Sequence, residues 1–431
     1  MNYPKTLSYF VNRLSGHSTN NFRLNPQGST SATPNSIVRF DLPNNAIVDL
    51  KDIRFMFNAS ATGGEGSDLT RLPDKISSLI ERVAVYVGGQ QVYSGHSAYN
   101  RVKHIKDALE KPKCKQLSDP LAHDFIVAIE GNNNPVDGAG TAQTEVYTNL
   151  STPFCVGGGD LLGWFEGMPR MLDMSLLAQA TIEFTFAPAS VVVASASSAI
   201  TTPPPGATTG VTYSVSNMRL LVQSYGLNDG GAYDRMVESE IAQMSYLEFN
   251  FKEYHTQFDE AFTGNTRWSL AGVQSLDKVY VGFNNANYTT IGEAVAVSGR
   301  GITEDKVKAK YFNMSAPSGL TGLQLQINGG FYPSYSATPD ECLALTLSAS
   351  GKDGEIATRE QYVDNYFVFA QRFNHPDTPV NVISGLDFSN INMAGSVVAT
   401  GSFSTAVPII IVAETTATLR ISQQLQMVKI A

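Results

Sequence analysis

The chain has 431 residues, 42% hydrophobic and 16% charged, with 36 Gly and 20 Pro. That composition excludes disordered and collagen-like classes and leaves room for two domains with large cores. A formal net charge of −9 argues against a dedicated nucleic-acid binder, which needs a basic face against phosphate.

Residues 1–35 read as a polar, irregular N-terminal arm. Within it Leu7, Phe10, Val11 and Leu14 fall at helical spacing, accompanied by Lys5 and Arg13. The stretch has no unbroken apolar run and no small-residue cleavage site, so no signal peptide is expected and synthesis is expected in the cytoplasm. The most apolar run, Val407–Ala413, is too short to span a bilayer.

Strand signals begin at Ile37. IVRFDLP ends at Pro43-Asn44-Asn45, and IVDLKDIRFMFNAS alternates around Ile53, Phe55 and Phe57. A hairpin follows over Ile80–Ser94, in which Val83, Val85 and Val87 alternate with polar or exposable residues and then meet Gly88-Gly89. Ala98–Lys111 has Val102, Ile105 and Leu109 on one helical stripe. Residues 131–143 are a Gly/Asn loop, Gly157–Leu177 reads as short helical or irregular structure feeding the strand TIEFTFAP, and 190–210 is a Ser/Ala/Thr/Pro loop. The strand TYSVSNMRLLVQSYGL closes this half near residue 227, and YDRMVESEIAQM predicts a linker helix within 228–244.

The second half repeats the scheme. YLEFNFKEYH, WSLAGV and KVYVGFNNA predict strands, followed by a loop over 284–306. The second hairpin, Leu320–Ser334, lies 240 residues after the first, with Leu323, Leu325 and Ile327 alternating before Asn328-Gly329. A helical ATPDECLALTL, the strand YFVFAQRF, and then GSVVATGSF, VPIIIVAE and TATLRISQQLQMVKIA complete the chain. About eight strands per half, with no regular long helices between them, predict an all-β protein of two tandem antiparallel sandwiches or barrels. The expected division is an arm at 1–35, a first β-domain at 36–227, a linker helix at 228–244 and a second β-domain at 245–431.

Catalytic and metal patterns are not found. The histidines, His17, His96, His104, His123, His255 and His375, form no HExxH or His/Cys cluster. Residues 351–355 (GKDGE) offer only Asp353 and Glu355 as side-chain oxygen ligands, short of a calcium site. Gly157-Gly158-Gly159-Asp160 lacks the Lys-Ser/Thr of a phosphate loop. Cys114, Cys155 and Cys342 are widely spaced and read as free thiols of a reducing compartment. The carboxylate pairs Glu238/Glu240 and Asp340/Glu341 read as exposed, and the Asn-X-Ser/Thr sites at Asn58, Asn149, Asn287 and Asn313 as chance matches. No cofactor and no enzymatic activity are expected.

Taken together, the two hairpins, LLGWFEGMPRMLDMSLLAQATIEFTFAP (161–188), LQINGGFYPSYSATPDE (325–341) and the closing TTATLRISQQLQ resemble double jelly-roll major capsid proteins of icosahedral viruses, with the smaller polinton-like or phage-type members most similar in flavour. The resemblance runs from about residue 36 to the C-terminus, while the loops at 131–143, 190–210 and 284–306 depart from it. It implies two eight-stranded jelly-roll barrels side by side with short helical insertions. It also implies a homotrimeric, pseudo-hexagonal capsomer tiling a virion shell beside neighbouring capsomers, penton and minor capsid proteins. The arm residues Lys5, Leu7, Phe10, Val11, Arg13 and Leu14 would then point inward, towards neighbouring capsomers, minor proteins or an internal membrane. The alternatives are a non-catalytic lectin-like module or surface-layer component and, more weakly, an enzyme of unknown type.

Overall fold

The computed structural model describes residues 17–62, 67–72, 76–94, 98–110, 152–157, 161–191, 193–196, 212–227, 230–244, 246–270, 272–283, 296–297, 300–302, 314–350, 359–375, 382–389, 393–403, 407–422 and 427–430. In the first half the strands are β1 (His17–Leu24), β2 (Ile37–Asp41), β3 (Ile47–Asp49), β4 (Arg54–Thr62), β5 (Ser67–Arg71), β6 (Ile80–Val87), β7 (Gln90–Tyr93), β8 (Thr152–Gly157), β9 (Met171–Asp173), β10 (Ala180–Phe186), β11 (Val193–Ala196) and β12 (Thr212–Leu227). The helices α1 (Tyr99–Glu110) and α2 (Trp164–Gly167) interrupt them, and α3 (Gly230–Met244) leads to the second half. There the strands are β13 (Tyr246–Phe262), β14 (Asn265–Leu270), β15 (Val273–Phe283), β16 (Ala296–Val297), β17 (Arg300–Ile302), β18 (Leu320–Ile327), β19 (Gly330–Ala337), β20 (Val368–Arg372), β21 (Leu386–Phe388), β22 (Met393–Gly401), β23 (Val407–Ser422) and β24 (Met427–Ile430). The helices α4 (Pro339–Ser350) and α5 (Arg359–Asn365) lie between β19 and β20.

Each half is two facing antiparallel sheets. In the second half the larger follows β13-β23-β15-β20 and the smaller β14-β22-β18-β19. In the first, β1 lies along β12, which pairs with β4, which pairs with β8, while β2-β10-β6-β7 form the smaller sheet. Counting the eight main strands of each half in chain order, both larger sheets run first-eighth-third-sixth and both smaller sheets second-seventh-fourth-fifth. That interleaving is the jelly roll, and it occurs twice. One accessory pairing corresponds as well. β9 pairs with β3 at the start of the third-strand position, and β21 pairs with the start of β15.

The two hairpins form as expected. Gly88 and Gly89 have φ 59° and 79°, and Asn328 and Gly329 have φ 46° and 90°. Both central residues at positive φ make the primed turn whose twist matches paired strands. The offset of 240 continues through the next helix, since α1 at 99–110 corresponds to α4 at 339–350. The start of α4 is a capping box: the Glu341 carboxylate accepts from the Thr338 backbone N–H at 2.8 Å, and the Glu341 N–H donates to Thr338 Oγ1 at 3.4 Å. Thr338→Ala is expected to cost about 1 kcal/mol, read as a shift of the denaturant midpoint. No shift would mean that packing alone holds that helix end.

Alternation places one face of most main strands in a barrel core; β1 lies on the sheet with its residues exposed or half-buried, and β19 buries only Ala337. In the first, Phe55 stacks on Phe184 with centroids 4.3 Å apart, and Phe40 meets Phe55 edge-on at 5.6 Å. In the second, Phe262 and Phe283 pack at 5.7 Å.

Three expectations change. Residues 17–24, expected within a loose arm, are β1, paired with β12 from His17↔Leu227 to Leu24↔Leu220. VPIIIVAE and TATLRIS, expected as separate strands, are one continuous strand, β23. Within the loop expected at 190–210, β11 pairs with β5, and within that at 284–306 β16 pairs with β17. Residues 131–143 lie outside the described residues. Among the described residues, no helix is long and apolar enough to cross a membrane.

Candidate functional site: the seam between the barrels

The candidate residues named from the sequence are not brought together. Lys5, Leu7, Phe10, Val11, Arg13 and Leu14 all lie outside the described residues, as do Cys114, His96, His123, Gly158–Asp160 and 351–355. Cys155 is half-buried on β8 and Cys342 is buried in α4, both as free thiols. Burial pushes the Cys342 thiol up to about 12, so it is a packed thiol rather than a nucleophile. Asp340 is exposed and paired with Arg359, while Glu341 caps α4. Among the described residues, no three His, Cys, Asp or Glu side chains are grouped to hold a metal ion.

The concentrated chemistry of the molecule lies where the halves meet. The larger sheet of the second half turns one face to its own core through Ile409, Ile411 and Ala413. Its other face, with Ile410, Val412 and Tyr280, joins the first half's apolar cluster. Two elements of the first half reach across. Near α2 the chains approach so closely that a Cβ at Gly167 would stand 2.4 Å from the Asn250 carbonyl. Gly163, at φ 71°, has the Tyr93 ring where a side chain would go. The GWFEG segment therefore needs both glycines, one for conformation and contact, the other for close approach.

The second bridging element is α1. Lys106 Nζ donates to Glu166 Oε1 at 2.8 Å and to the Tyr254 hydroxyl at 2.5 Å, and lies 3.8 Å from Glu414 Oε2. The Tyr254 hydroxyl in turn donates to Glu166. At the rim Arg101 stacks over the Phe258 ring at 4.6 Å. Deeper in the second half, Lys252 Nζ donates to Asp277 Oδ2 at 2.6 Å and to Thr416 Oγ1 at 2.9 Å. Thr416 and Ser275 hydroxyls donate to the two Asp277 oxygens at 2.5 and 2.7 Å. The Lys252 and Asp277 side chains are 5% and 0% exposed, which makes this a pair sealed from water.

Burial acts against ionisation of Glu414. Lys106, Lys278 and Lys252 and the Tyr280 hydroxyl, at 3.1 Å, override it and hold the carboxyl down at about 2. Glu253 shows the opposite balance: burial raises its pKa against the pull of Lys429, to which it is paired. The seam is thus a charge-matched, hydrogen-bonded lock. It offers cations to carboxylates at fixed geometry and holds two barrels in one register. Alternation does not reveal it, because its charges sit on strand faces that a lone barrel would expose.

No family model matches the chain, and no curated protein sequence matches it. Solved structures do. VP54 of PBCV-1, as fitted into a reconstruction of the virophage Sputnik, shares 17% identity at a TM-score of 0.64, over 97% of this chain and 98% of that one. The PBCV-1 virus capsid structure gives 16% and 0.59 over the same shares. The Faustovirus major capsid protein gives 9% and 0.55 over 94% and 90%. Strand order, duplicated hairpins and full-length superposition agree: this chain has the double jelly-roll fold of those viral capsid proteins.

Proposed function

We propose that the chain is the major capsid protein of an icosahedral virus, a structural and non-catalytic component of the virion made in the host cytoplasm. It would work as a homotrimer with a pseudo-hexagonal outline, tiling the shell beside neighbouring capsomers, penton and minor capsid proteins. The observation that carries this reading is the fusion of two jelly rolls of identical strand order across a seam bridged by Lys106 to Tyr254 and Glu414. Three such chains supply six similar barrels, so a threefold object acquires a near-sixfold outline and can tile. Closure of each sandwich also leaves few free strand edges to aggregate during assembly. The division into units ending near 227 and starting near 245, joined by the linker at 228–244, belongs to the same proposal.

Native mass spectrometry is expected to find a species of three times 46.5 kDa, and electron microscopy a hexagonal outline with a threefold centre. A monomer that binds glycans would overturn the reading in favour of a lectin-like module. The segment ahead of β1, with Leu7, Phe10, Val11 and Leu14 beside Lys5 and Arg13, is assigned contacts to neighbouring capsomers, minor proteins or an internal membrane. Deleting residues 1–16 is expected to leave trimers intact and impair shells; normal particles from the truncated chain would refute that role.

A further inference from the structure

Side chains from both neighbours of β23 meet across it. Lys252 lies on β13 opposite Thr416 of β23, and Asp277 lies on β15 between the residues paired with Thr415 and Glu414. Lys252 Nζ is 2.6 Å from Asp277 Oδ2, and the two side chains are 5% and 0% exposed. A third group, Glu414 on β23 itself, places Oε1 3.9 Å from the same Nζ and is also buried. A primary amine, a carboxyl group and a second carboxylate thus converge from three adjacent strands in a site sealed from water.

Stability alone is a weak reason for this arrangement, because a buried ion pair holds two strands no better than apolar side chains of the same volume. The groups are those of an amide condensation. In water an ammonium and a carboxylate do not condense, being charged, solvated and rarely in contact. Here a neutral amide would replace two desolvated charges, and fixed contact replaces collision, worth an effective concentration of about 10⁵ M or more in well-oriented reactions. The rest of the site fits the same chemistry. The Ser275 hydroxyl donates to Asp277 Oδ1 at 2.7 Å, where negative charge gathers when nitrogen adds to the carboxyl carbon. That hydroxyl is itself fixed by the Gly385 N–H at 2.9 Å, in a spot where a Cβ would stand 2.2 Å from the Leu276 carbonyl. The Thr416 hydroxyl donates at 2.5 Å to Oδ2, the oxygen that would leave. Against its burial, Glu414 is held ionised by the neighbouring lysines, ready to take a proton.

We propose that Lys252 and Asp277 condense in the folded chain to an isopeptide bond, with Glu414 carrying the proton. One ammonium proton passes to Asp277 Oδ2, leaving an amine and a carboxylic acid. The Nζ lone pair then attacks Cγ, the carbonyl pair moves to Oδ1 under the Ser275 hydroxyl, and Glu414 takes a second proton from nitrogen. The pair returns from Oδ1, the Cγ–Oδ2 bond breaks, and Glu414 gives up its proton so that Oδ2 departs as water. The third proton stays on the amide nitrogen, Glu414 is a carboxylate again, and no oxidant or reductant is needed. The product ties β13 to β15 across β23, closing a loop between positions 25 apart. It staples the sheet as a disulfide would, without depending on redox conditions, in a chain whose Cys155 and Cys342 are free thiols. The charged pair is the reactant, and the bond is a later step of the same contact, independent of the capsomer reading.

The test is the intact mass of the folded full chain, followed over days at neutral pH, with tryptic mapping of the product. The wild type is expected to become lighter by the mass of one water. Trypsin should no longer cut after Lys252, and the peptide 236–267 should appear joined to 268–278 as one branched species. This measurement needs no variant and so does not depend on how any variant folds. Asp277→Ala is expected to keep its full mass, and Glu414→Gln to form the bond at least about 100-fold more slowly, as for loss of a positioned proton acceptor. A folded wild type that keeps its sequence mass and is cut after Lys252 would overturn the proposal. So would a lighter chain still cut there, or a lighter Asp277→Ala, since either places the lost water elsewhere. Glu414→Gln reacting at the wild-type rate would remove Glu414 from the reaction.

Discussion

Replacing Lys252 by Met is expected to destabilise the folded chain by about 3–5 kcal/mol, because it leaves the buried Asp277 carboxylate without its cation. The effect exceeds that of a surface ion pair for a physical reason. Asp277 has no solvent exposure, and its remaining donors, Thr416 and Ser275, are neutral hydroxyls. Glu414 would lose one of the three ammonium groups that hold it ionised. Met fills nearly the volume of the lysine stem, so the loss reports charge and not a cavity. The double variant Lys252→Met/Asp277→Leu is expected to recover much of the stability, since removing both partners removes the desolvated charge as well. Chemical denaturation of the three proteins decides the matter. A single variant within about 1 kcal/mol of wild type, the scale of an exposed pair, would mean that water or rearrangement reaches the seam, and the picture of a sealed lock would fail.

The contrast between what alternation reveals and what it hides follows from this seam. β6 and β18 are legible because fully buried aliphatic residues alternate in them with mostly half-buried ones, and each strand then meets a turn dipeptide whose φ values only such residues adopt comfortably. β13 is legible as a strand but not as a site. Its Asn250, Lys252 and Tyr254 alternate with Phe249 and Phe251 as though they faced solvent, yet all five are buried. The polar stretch at Glu414–Thr416 reads as a break between two strands; it is the middle of β23, buried and hydrogen-bonded to Lys252 and Asp277. β1 escapes the pattern for the opposite reason. HSTNNFRL has almost no apolar signal, and its strand state is specified by eight register pairs with β12 and not by its own side chains. Thr338-Pro339-Asp340-Glu341 does mark the start of α4 by local rules alone, as a capping box with proline in the first turn. Lys106, Glu166, Lys252, Asp277 and Glu414 come from positions up to about 300 residues apart, and no local pattern links them.

Acid is expected to loosen the same seam within a defined window. The Glu414 carboxyl sits at about 2 in the folded chain against an ordinary value of 4.5, so folding favours its ionised form. A depressed carboxyl contributes its full stability above the unfolded value, and that contribution drains away as pH falls from about 4.5 towards 2. The difference corresponds to about 3 kcal/mol, the order of magnitude at stake for this one side chain. Glu253 works the other way: burial raises its folded pKa, so protonation at low pH favours the folded state and offsets part of the loss. Denaturant midpoints measured from about pH 5 down to about pH 2 should therefore fall most steeply below about pH 4.5. In Glu414→Gln the curve should start lower at the top of that range, because three lysines lose their anion, and then run flatter. A Glu414→Gln curve as steep as the wild type would assign the acid sensitivity to other carboxylates and remove Glu414 from its place at the centre of the lock.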